Sequence, residues 1–361
     1  MQLDLFYELS VPNTGKYNEQ QVFHNTLEEI TLADQCGFKT AWLVEHHFMQ
    51  QYSHSSCPEL FLAALTQKTH HIRLGHAIIP LPYNHPIRVA ERLATLDILS
   101  NGRVEFGFGR GFSPTEYQAF GVDMADSRTI THESLDIILA SFTGQPINYQ
   151  GKHFHCQDIE LSPKVIQQPH PPIWSAAVSP TSFEYAAKLG IGVLAGPFKP
   201  WFMIKEDIKS YHQAWQKQSL IDPDHKTKKP RVGMTLGVYC TTDKKQARTQ
   251  AKTAFEWFYQ QLFNQTKPIL QQLYASYEYY RKFGHFQSLL EKTINLTILE
   301  TLGMAIVGDP EHCIKKLKIL ESAGVDHVLC AIGAGALPTE LTKQSMQLIA
   351  DEVMPEFHHQ P

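Results

Sequence analysis

Eight short apolar runs, each with the length and composition of a buried strand, constrain the fold of this chain more than any other feature. The segments between them carry apolar residues at helical spacing, as in the stripe from Phe23 to Ala33 that ends at Gly37. Strands and helices that alternate along a whole chain indicate parallel pairing. The predicted strands are residues 3–9, 41–45, 72–80, 104–109, 172–177, 192–196, 232–240 and 327–333.

Eight strand–helix units are the number that closes a (β/α)8 barrel, so we predict an α/β fold with one barrel domain, including insertions, over residues 1–361. A chain of 361 residues with 43% hydrophobic content is long enough to bury that core. An open doubly wound sheet is the alternative. It is weakened because no G-x-G-x-x-G motif begins a helix after the first strand.

Charge and composition argue against nucleic-acid and membrane partners. The net charge is −4, opposite charges are interspersed, and the one basic cluster, residues 225–231, is short enough to be a solvated loop. The N-terminus resembles a first strand more than a signal peptide, and no apolar run is long enough to span a bilayer. The six cysteines are scattered without a C-x-x-C pair, which favours a reduced, cytoplasmic protein without a metal site.

The stretch WLVEHHF, residues 42–48, places Glu45, His46 and His47 at the end of the second predicted strand. In a (β/α)8 barrel the C-terminal ends of the strands form the functional face, so these polar residues are candidates for a site. The alternative is structural, with one histidine capping a helix and the other packed in the wall. Adjacent residues on a strand point to opposite faces, which argues against one metal ion shared by both histidines.

Two other strand ends favour an anion site. RVEFGFGRGF, residues 103–112, combines Gly109 with Arg110, and glycine lets a ligand approach the backbone while arginine offers planar donors to phosphate. A tight turn with a surface arginine explains this stretch equally well. SAAVSPTSFEYAAKLG, residues 175–190, places Ser179 and Ser182 at a predicted helix start, where they suit either an anion site or an ordinary cap.

With three further blocks, these motifs resemble the luciferase-like flavin monooxygenases, and in particular the α subunit of bacterial luciferase. The further blocks are GHAIIPLPYNHPIRVAERLATLDILSNGR (residues 75–103), AFGVDMADSR (119–128) and the closing VGDPEHC with DEVMPEF. The resemblance runs from Leu3 to about Phe357 and is weakest over residues 198–300. It implies a TIM barrel, reduced FMN as co-substrate, activation of O2 and a dimer, which we expect to be a homodimer, with a heterodimer as the alternative.

The resemblance also implies roles for single residues. His46 matches the catalytic histidine beside the flavin, and a histidine suits that place because its pKa lies near neutrality. His47 matches a second histidine, which we expect to support the first. The residues expected to bind the cofactor are Glu45, Ala77, Ile78, Gly109, Arg110, Arg128, Ser179 and Ser182. Among these, the arginines and serines match the phosphate site, and Ala77 and Ile78 match a non-prolyl cis peptide against the flavin ring.

This chain departs from the family pattern at three positions. Gly109 stands where the family has a reactive cysteine, so light emission cannot be inferred from the resemblance. Val178 replaces an acidic residue, and Ser182 replaces a threonine but keeps the hydroxyl.

Two segments carry further expectations. Residues 254–300 contain an aromatic residue in nearly every turn over their first part, a pattern more often found in a core, yet they match the mobile loop of luciferase. We therefore predict a lid or insertion before the last strand. In the helix predicted within residues 57–69, Ala63 and Ala64 suit close packing at a dimer interface.

The resulting prediction is a two-component monooxygenase. A separate flavin reductase would supply reduced FMN, and O2 would form a C4a-hydroperoxyflavin that oxygenates a small organic substrate, expected from the resemblance to be an aldehyde or ketone. One alternative uses a reduced deazaflavin for hydride transfer, although the EHH motif with Arg110 and Arg128 favours FMN. The other alternative is a non-catalytic flavin-binding protein similar to the luciferase β subunit.

Overall fold

The computed structural model describes residues 1–276 and 294–357 of the chain. Its main feature is a closed ring of parallel strands. The strands are β1 (Gln2–Tyr7), β2 (Thr40–Leu43), β3 (Arg73–His76), β4 (Ile79–Pro80), β5 (Val104–Gly109), β6 (Ile147–Gln150), β7 (His155–Ile159), β8 (Ile173–Ala176), β9 (Gly192–Ala195), β10 (Val232–Cys240), β11 (Ala305–Gly308) and β12 (His327–Cys330).

Eight of these strands close the barrel in the order β1, β2, β3, β5, β8, β9, β10 and β12, and β12 pairs again with β1. All of these pairings are parallel. Each of the eight predicted strands coincides with one strand of the ring, so the predicted (β/α)8 barrel is confirmed. Several predicted strands extend past the observed ends, and residues 44–45 lie beyond β2, where the chain leaves the barrel wall.

Three features lie outside the ring. The strand β4 falls within the predicted strand 72–80, whereas the other two features were not predicted. The short strand β4 pairs with the end of β5, and β6 and β7 form an antiparallel hairpin. The strand β11 pairs with the second half of β10, from Gly237 to Cys240. The strands β6, β7 and β11 are short or lie at the periphery, so their apolar alternation was too brief to distinguish them from loops.

The helices surround the barrel. They are α1 (Glu19–Cys36), α2 (Pro58–Thr66), α3 (Pro86–Leu99), α4 (Pro114–Ala119), α5 (Ser127–Phe142), α6 (Pro180–Leu189), α7 (Trp201–Ile221), α8 (Pro223–Lys226), α9 (Lys244–Ser276), α10 (Leu296–Thr301), α11 (Pro310–Ser322) and α12 (Thr339–Leu348). Local sequence explains many of their ends. Asn18 and Gln21 form a capping box at the start of α1, and Gly37 ends it in the left-handed conformation. Within the described residues, no helix is long and apolar enough to cross a membrane.

Two buried tryptophans fill the barrel interior below the functional face. The indole rings of Trp42 and Trp174 meet edge to face at 5.6 Å. Each indole N–H donates to a buried carboxylate, that of Trp42 to Asp4 at 2.8 Å and that of Trp174 to Glu105 at 2.6 Å. The pairing removes the cost of an unsatisfied polar group in the core.

The predicted lid, residues 254–300, is in part helical. Residues 254–276 belong to α9, which begins at Lys244, and residues 296–300 belong to α10. Residues 277–293 lie outside the described part of the chain. The role of the segment as a lid therefore stays a prediction.

Candidate active site

A cavity of about 720 Å³ opens among the C-terminal ends of the barrel strands. Its volume lies within the usual range for sites that bind small molecules or cofactors. Its walls come from the ends of β1, β2, β5, β8 and β9 and from α5, α6 and α9. The predicted site residues that line it are Glu45, His46, Ala77, Ile78, Gly109, Arg110, Arg128, Ser179 and Ser182.

His46 lies where the chain turns away from β2. Its backbone N–H donates to the carbonyl of Ser55 at 3.0 Å, and the Ser55 hydroxyl donates to the carbonyl of Val44 at 2.6 Å. The imidazole lies between two buried carboxylates. Its Nδ1 is 3.5 Å from Oε1 of Glu116, and its Nε2 is 4.0 Å from Oε2 of Glu8. The turn thus holds a titratable ring at the cavity wall.

The carboxylates around His46 favour its charged form. Burial opposes the imidazolium, but contact with Glu116 and the charges of Glu8, Glu116 and Glu45 outweigh it and raise the pKa of His46. Burial would raise the pKa of Glu116, yet contacts with His46, the His47 backbone N–H and the Tyr83 hydroxyl lower it overall. Both shifts favour an imidazolium–carboxylate pair of His46 and Glu116, in which the imidazole carries a proton that it can donate.

His47 does not line the cavity. Its Nε2 is 3.3 Å from Oε1 of Glu45, and its ring packs edge to face against Tyr83 and Phe120. Its backbone N–H donates to Glu116 at 2.7 Å. This placement suits the supporting role expected for His47. In the described part of the chain, no group of three or more histidine, cysteine, aspartate or glutamate side chains could hold a metal ion.

Glu116 is a site residue that sequence reasoning missed. It lies on α4, is fully buried, and also accepts the Tyr83 hydroxyl at 2.7 Å. In the sequence it stands three residues after Ser113, the spacing of a capping box, and its backbone N–H does face the Ser113 hydroxyl at 3.4 Å. That spacing gives no sign that the carboxylate contacts the histidine that follows β2.

Two arginines also line the cavity. Arg110 directly follows β5, and Arg128 lies in the first turn of α5. Burial first, and then the charge of Arg128, lower the pKa of His132, and the charge of Arg110 lowers it further, although Asp136 opposes the shift. Among the described residues, no carboxylate forms a salt bridge with either arginine. Two guanidiniums without a carboxylate partner suit an anionic ligand.

The N-terminus of α6 also lies at the cavity. Ser179 is the N-cap, and the Ser182 hydroxyl accepts the backbone N–H groups of Val178 and Ser179 at 3.0 and 2.9 Å. Both predicted serines are therefore used as caps, one of the two explanations that the sequence left open. Their position also aims the positive end of the helix dipole at the cavity, so the cap and an anion site are compatible.

A further part of the cavity wall is apolar and narrow. The peptide bond between Ala77 and Ile78 is cis, the geometry that the resemblance implied. A Cβ atom at Gly109 would lie 2.9 Å from Cδ1 of Ile78 and 3.1 Å from Cβ of Ala176. Glycine at position 109 therefore keeps the wall free of a side chain that would crowd both neighbours.

A buried lysine supports the α6 end of the cavity and was not predicted. Lys199 is 2% exposed, donates to the carbonyl of Val178 at 3.0 Å and forms a salt bridge with Asp207 of α7. It thereby connects the loop before α6 to the following helix. An ion pair of this kind positions a loop, because neither charge can be left alone in the interior without a large cost.

Comparison with known proteins identifies the family of this chain. The family model described as luciferase-like monooxygenase matches residues 3–327. Limonene 1,2-monooxygenase of Rhodococcus erythropolis is 28% identical, over 93% of this chain and 81% of that protein. The oxygenase component of the flavin-dependent trigonelline monooxygenase of Acinetobacter baylyi is 27% identical, over 95% of this chain and 92% of that protein. The alkanal monooxygenase alpha chain of the Kryptophanaron alfredi symbiont is 25% identical, over 90% of this chain and 89% of that protein.

Solved structures show the same fold. Monooxygenase RslO1 from Streptomyces bottropensis superimposes with a TM-score of 0.83 at 25% identity, covering 99% of this chain and 100% of that one. The oxygenating constituent of 3,6-diketocamphane monooxygenase from Pseudomonas putida, in complex with FMN, has a TM-score of 0.76 at 19% identity. The match covers 99% of this chain and 98% of that one. The coenzyme F420 dependent tetrahydromethanopterin reductase from Methanopyrus kandleri has a TM-score of 0.69 at 20% identity. The match covers 99% of this chain and 100% of that one.

Proposed function

Because this chain belongs to the luciferase-like monooxygenase family, we propose that it is the FMN-dependent oxygenase of a two-component system. It would take reduced FMN from a separate flavin reductase and use O2 to oxygenate a small organic molecule, an aldehyde or ketone. The observation that carries the proposal is that one cavity is lined by two arginines, Arg110 and Arg128, and by an acid–base group, His46.

The residues present fit FMN in charge and shape. Arg110, Arg128 and the N-terminus of α6 would hold the phosphate, which carries charge that these groups can neutralise. The wall at Ala77, Ile78 and Gly109 offers an apolar surface for a flat ring. When bound, reduced FMN supplies the electrons for O2 activation, and the protein supplies position and proton control.

The protein's own contribution centres on His46. Its imidazole, charged beside Glu116, can donate a proton in the cavity and take one back. Phe112 packs edge to face against His46 at 5.2 Å between ring centroids. Such rings at the cavity wall exclude water and strengthen the charge interactions of the pair.

An apolar surround supports a substrate with a hydrocarbon body. The cavity lining includes Phe6, Tyr52, Phe112, Phe198 and Leu262, and Tyr52 and Phe112 lie beside the ring of His46. The names of two similar proteins, an oxygenase component and an oxygenating constituent, support the proposal that a separate reductase supplies the reduced flavin. We retain the aldehyde or ketone as the substrate class to be screened first.

Stopped-flow absorbance tests the function. Protein with photoreduced FMN is mixed with oxygenated buffer, and we expect oxidised FMN to return more slowly than it does from free reduced FMN. Reoxidation at the rate of free FMN, together with tighter binding of a reduced deazaflavin, would replace this proposal with the hydride-transfer alternative. Slow reoxidation without product, relieved only by a second homologous chain, would favour the non-catalytic alternative.

The arginine end provides a separate prediction. Replacing Arg128 with methionine should weaken FMN binding by about 10- to 100-fold, because a charge-assisted hydrogen bond contributes about 1.5–3 kcal/mol. Riboflavin lacks the phosphate, so its affinity should stay nearly unchanged. Fluorescence titration of both flavins measures the difference, with Arg88→Met, an exposed arginine on α3, as the control variant. Equal losses for both flavins would contradict a phosphate contact.

We also propose that residues 254–300 form a lid. Leu262 and Thr266 of α9 line the cavity, so the helix that leads into this segment already contributes to the wall. Bound FMN and substrate should slow limited proteolysis within the segment, because closure would protect its peptide bonds. Cleavage at the same rate with and without the ligands would rule out closure on binding.

A homodimer stays a proposal. The helix α2 leaves Leu60 70% exposed, and the end of α3 exposes Ile98 and Leu99. Apolar side chains on neighbouring helices suit a contact between two copies of the chain. A monomeric mass by analytical ultracentrifugation at micromolar concentration would remove the proposal.

A further inference from the structure

Glu8 is a buried carboxylate of the cavity to which the function described so far assigns no role. It directly follows β1, is 6% exposed and lines the cavity together with His46. Its Oε1 accepts the Tyr52 hydroxyl at 2.8 Å. Its Oε2 has no hydrogen-bond partner among the described residues and lies 4.0 Å from Nε2 of His46.

The charge environment of Glu8 differs from that of Glu116. Among the residues with described positions, no lysine or arginine forms a salt bridge with Glu8, and its cationic neighbour is His46. Burial raises the pKa of Glu8, although His46 and the hydroxyls of Tyr52 and Ser53 oppose the rise. The pKa of Glu116 is lowered instead. Two carboxylates beside one histidine whose pKa values shift in opposite directions take different roles: Glu116 stays ionised, and Glu8 can be protonated.

We propose that Glu8 is the proton partner of His46, so that the acid–base unit of the cavity is the pair and not the histidine alone. In the proposed step a proton moves from Nε2 of His46 to Oε2 of Glu8, which converts imidazolium and carboxylate into neutral imidazole and carboxylic acid. No electrons are transferred and the net charge of the pair is unchanged. A small rotation of either side chain brings the two atoms, 4.0 Å apart, into hydrogen-bond contact.

The arrangement has a functional consequence. After the proton has moved to Glu8, the neutral imidazole can accept a proton from a molecule in the cavity, while Glu116 continues to hold the ring through Nδ1. His46 can then serve as acid and as base without exchange with bulk water. Glu8 acts through His46 and is a positioning residue. The inference deepens the proposed function, on which it rests for the reaction that uses the proton.

Several groups on different elements face the pair and enter its titration. They are Glu116 on α4, Glu45 after β2, Tyr52 in the loop before α2, and Tyr83 through its hydrogen bond to Glu116. Both tyrosine hydroxyls stay protonated near neutral pH, since burial first and the adjacent carboxylates second raise their pKa. The carboxylates therefore set the charge on His46.

Histidine NMR of the FMN-free, full-length protein tests the proposal. The pKa of His46 is read from its ring signals in a pH titration, assigned by their loss in His46→Gln. Glu8→Gln keeps the shape of the side chain and an acceptor for Tyr52, and should lower the pKa of His46 by about one pH unit or more. Glu29→Gln is the matched control, because Glu29 is also a buried carboxyl beside β1 but does not contact His46.

An unchanged pKa of His46 in Glu8→Gln would overturn the proposal, as would an equal shift in Glu29→Gln. Tyr52→Phe is a second variant in case Glu8→Gln does not fold. It removes the hydroxyl that stabilises ionised Glu8, and we expect a smaller shift in the same direction. The titration needs no flavin, so its result does not depend on FMN binding or reoxidation. The Glu8 proposal can therefore fail while the proposed function holds, and the proposed function can fail while the Glu8 proposal holds.

Discussion

Replacing His46 with asparagine is expected to lower the rate of substrate oxygenation by about 10²- to 10⁴-fold, the usual loss when a positioned acid or base is removed. FMN affinity should change little, because we expect the phosphate to bind at Arg110 and Arg128 and not at the histidine. Asparagine keeps a polar side chain but cannot carry the positive charge that Glu116 stabilises. The loss should therefore fall on the chemical step and not on binding.

Single-turnover kinetics with reduced FMN separates the two contributions, since substrate oxygenation and flavin reoxidation are followed in the same experiment. His47→Asn is the matched control. His47 is adjacent to His46 in sequence, but its side chain contacts Glu45 and does not line the cavity. Its loss should be clearly smaller. Equal losses of oxygenation rate in both variants would indicate that the two histidines act by stabilising the local structure. A wild-type rate in His46→Asn would remove His46 from the mechanism.

The second large effect is expected on stability. Replacing Lys199 with methionine should lower the free energy of unfolding by about 3–5 kcal/mol, because it breaks a buried ion pair from one side. Lys199 is 2% exposed, forms a salt bridge with Asp207 and donates to the carbonyl of Val178. Val178 directly precedes the cap of α6, so FMN binding should weaken along with stability.

Urea unfolding followed by circular dichroism measures the change, and Lys209→Met, an exposed lysine on the same α7 helix, is the control with an expected change below about 0.5 kcal/mol. The double variant Lys199→Met with Asp207→Leu should recover much of the loss, because an apolar pair no longer buries a single charge. A loss that stays equally large in the double variant would mean that packing, and not charge, explains the first result.

Much of the architecture was predictable from local pattern. Each of the eight predicted strands is a strand of the barrel, since a buried parallel strand needs a continuous apolar run that the sequence shows directly. The family resemblance, carried by motifs such as WLVEHHF and FGFGRGF, is confirmed by the family model over residues 3–327. The strand β11 and the hairpin of β6 and β7 were missed, because their short runs resemble loops.

Local sequence also determined the helix ends. Asn18 with Gln21 caps α1, and Ser179 with Ser182 caps α6, because a capping box involves residues only three positions apart. Such contacts can be predicted without a fold. Glu45, His46, Gly109 and Arg110 were placed on the barrel rim in the same way, since they lie where apolar runs end. Ala77, Ile78 and Arg128 came from the family resemblance.

Only the tertiary structure decided which of these residues act together. Glu8, His46 and Glu116 come from the end of β1, the end of β2 and α4, and the closed barrel brings their side chains to one place. It also turns His47 away from the cavity and buries Lys199 against Asp207. The physical reason is that charge interactions depend on distance and burial in three dimensions, whereas strand and helix patterns depend on neighbours along the chain.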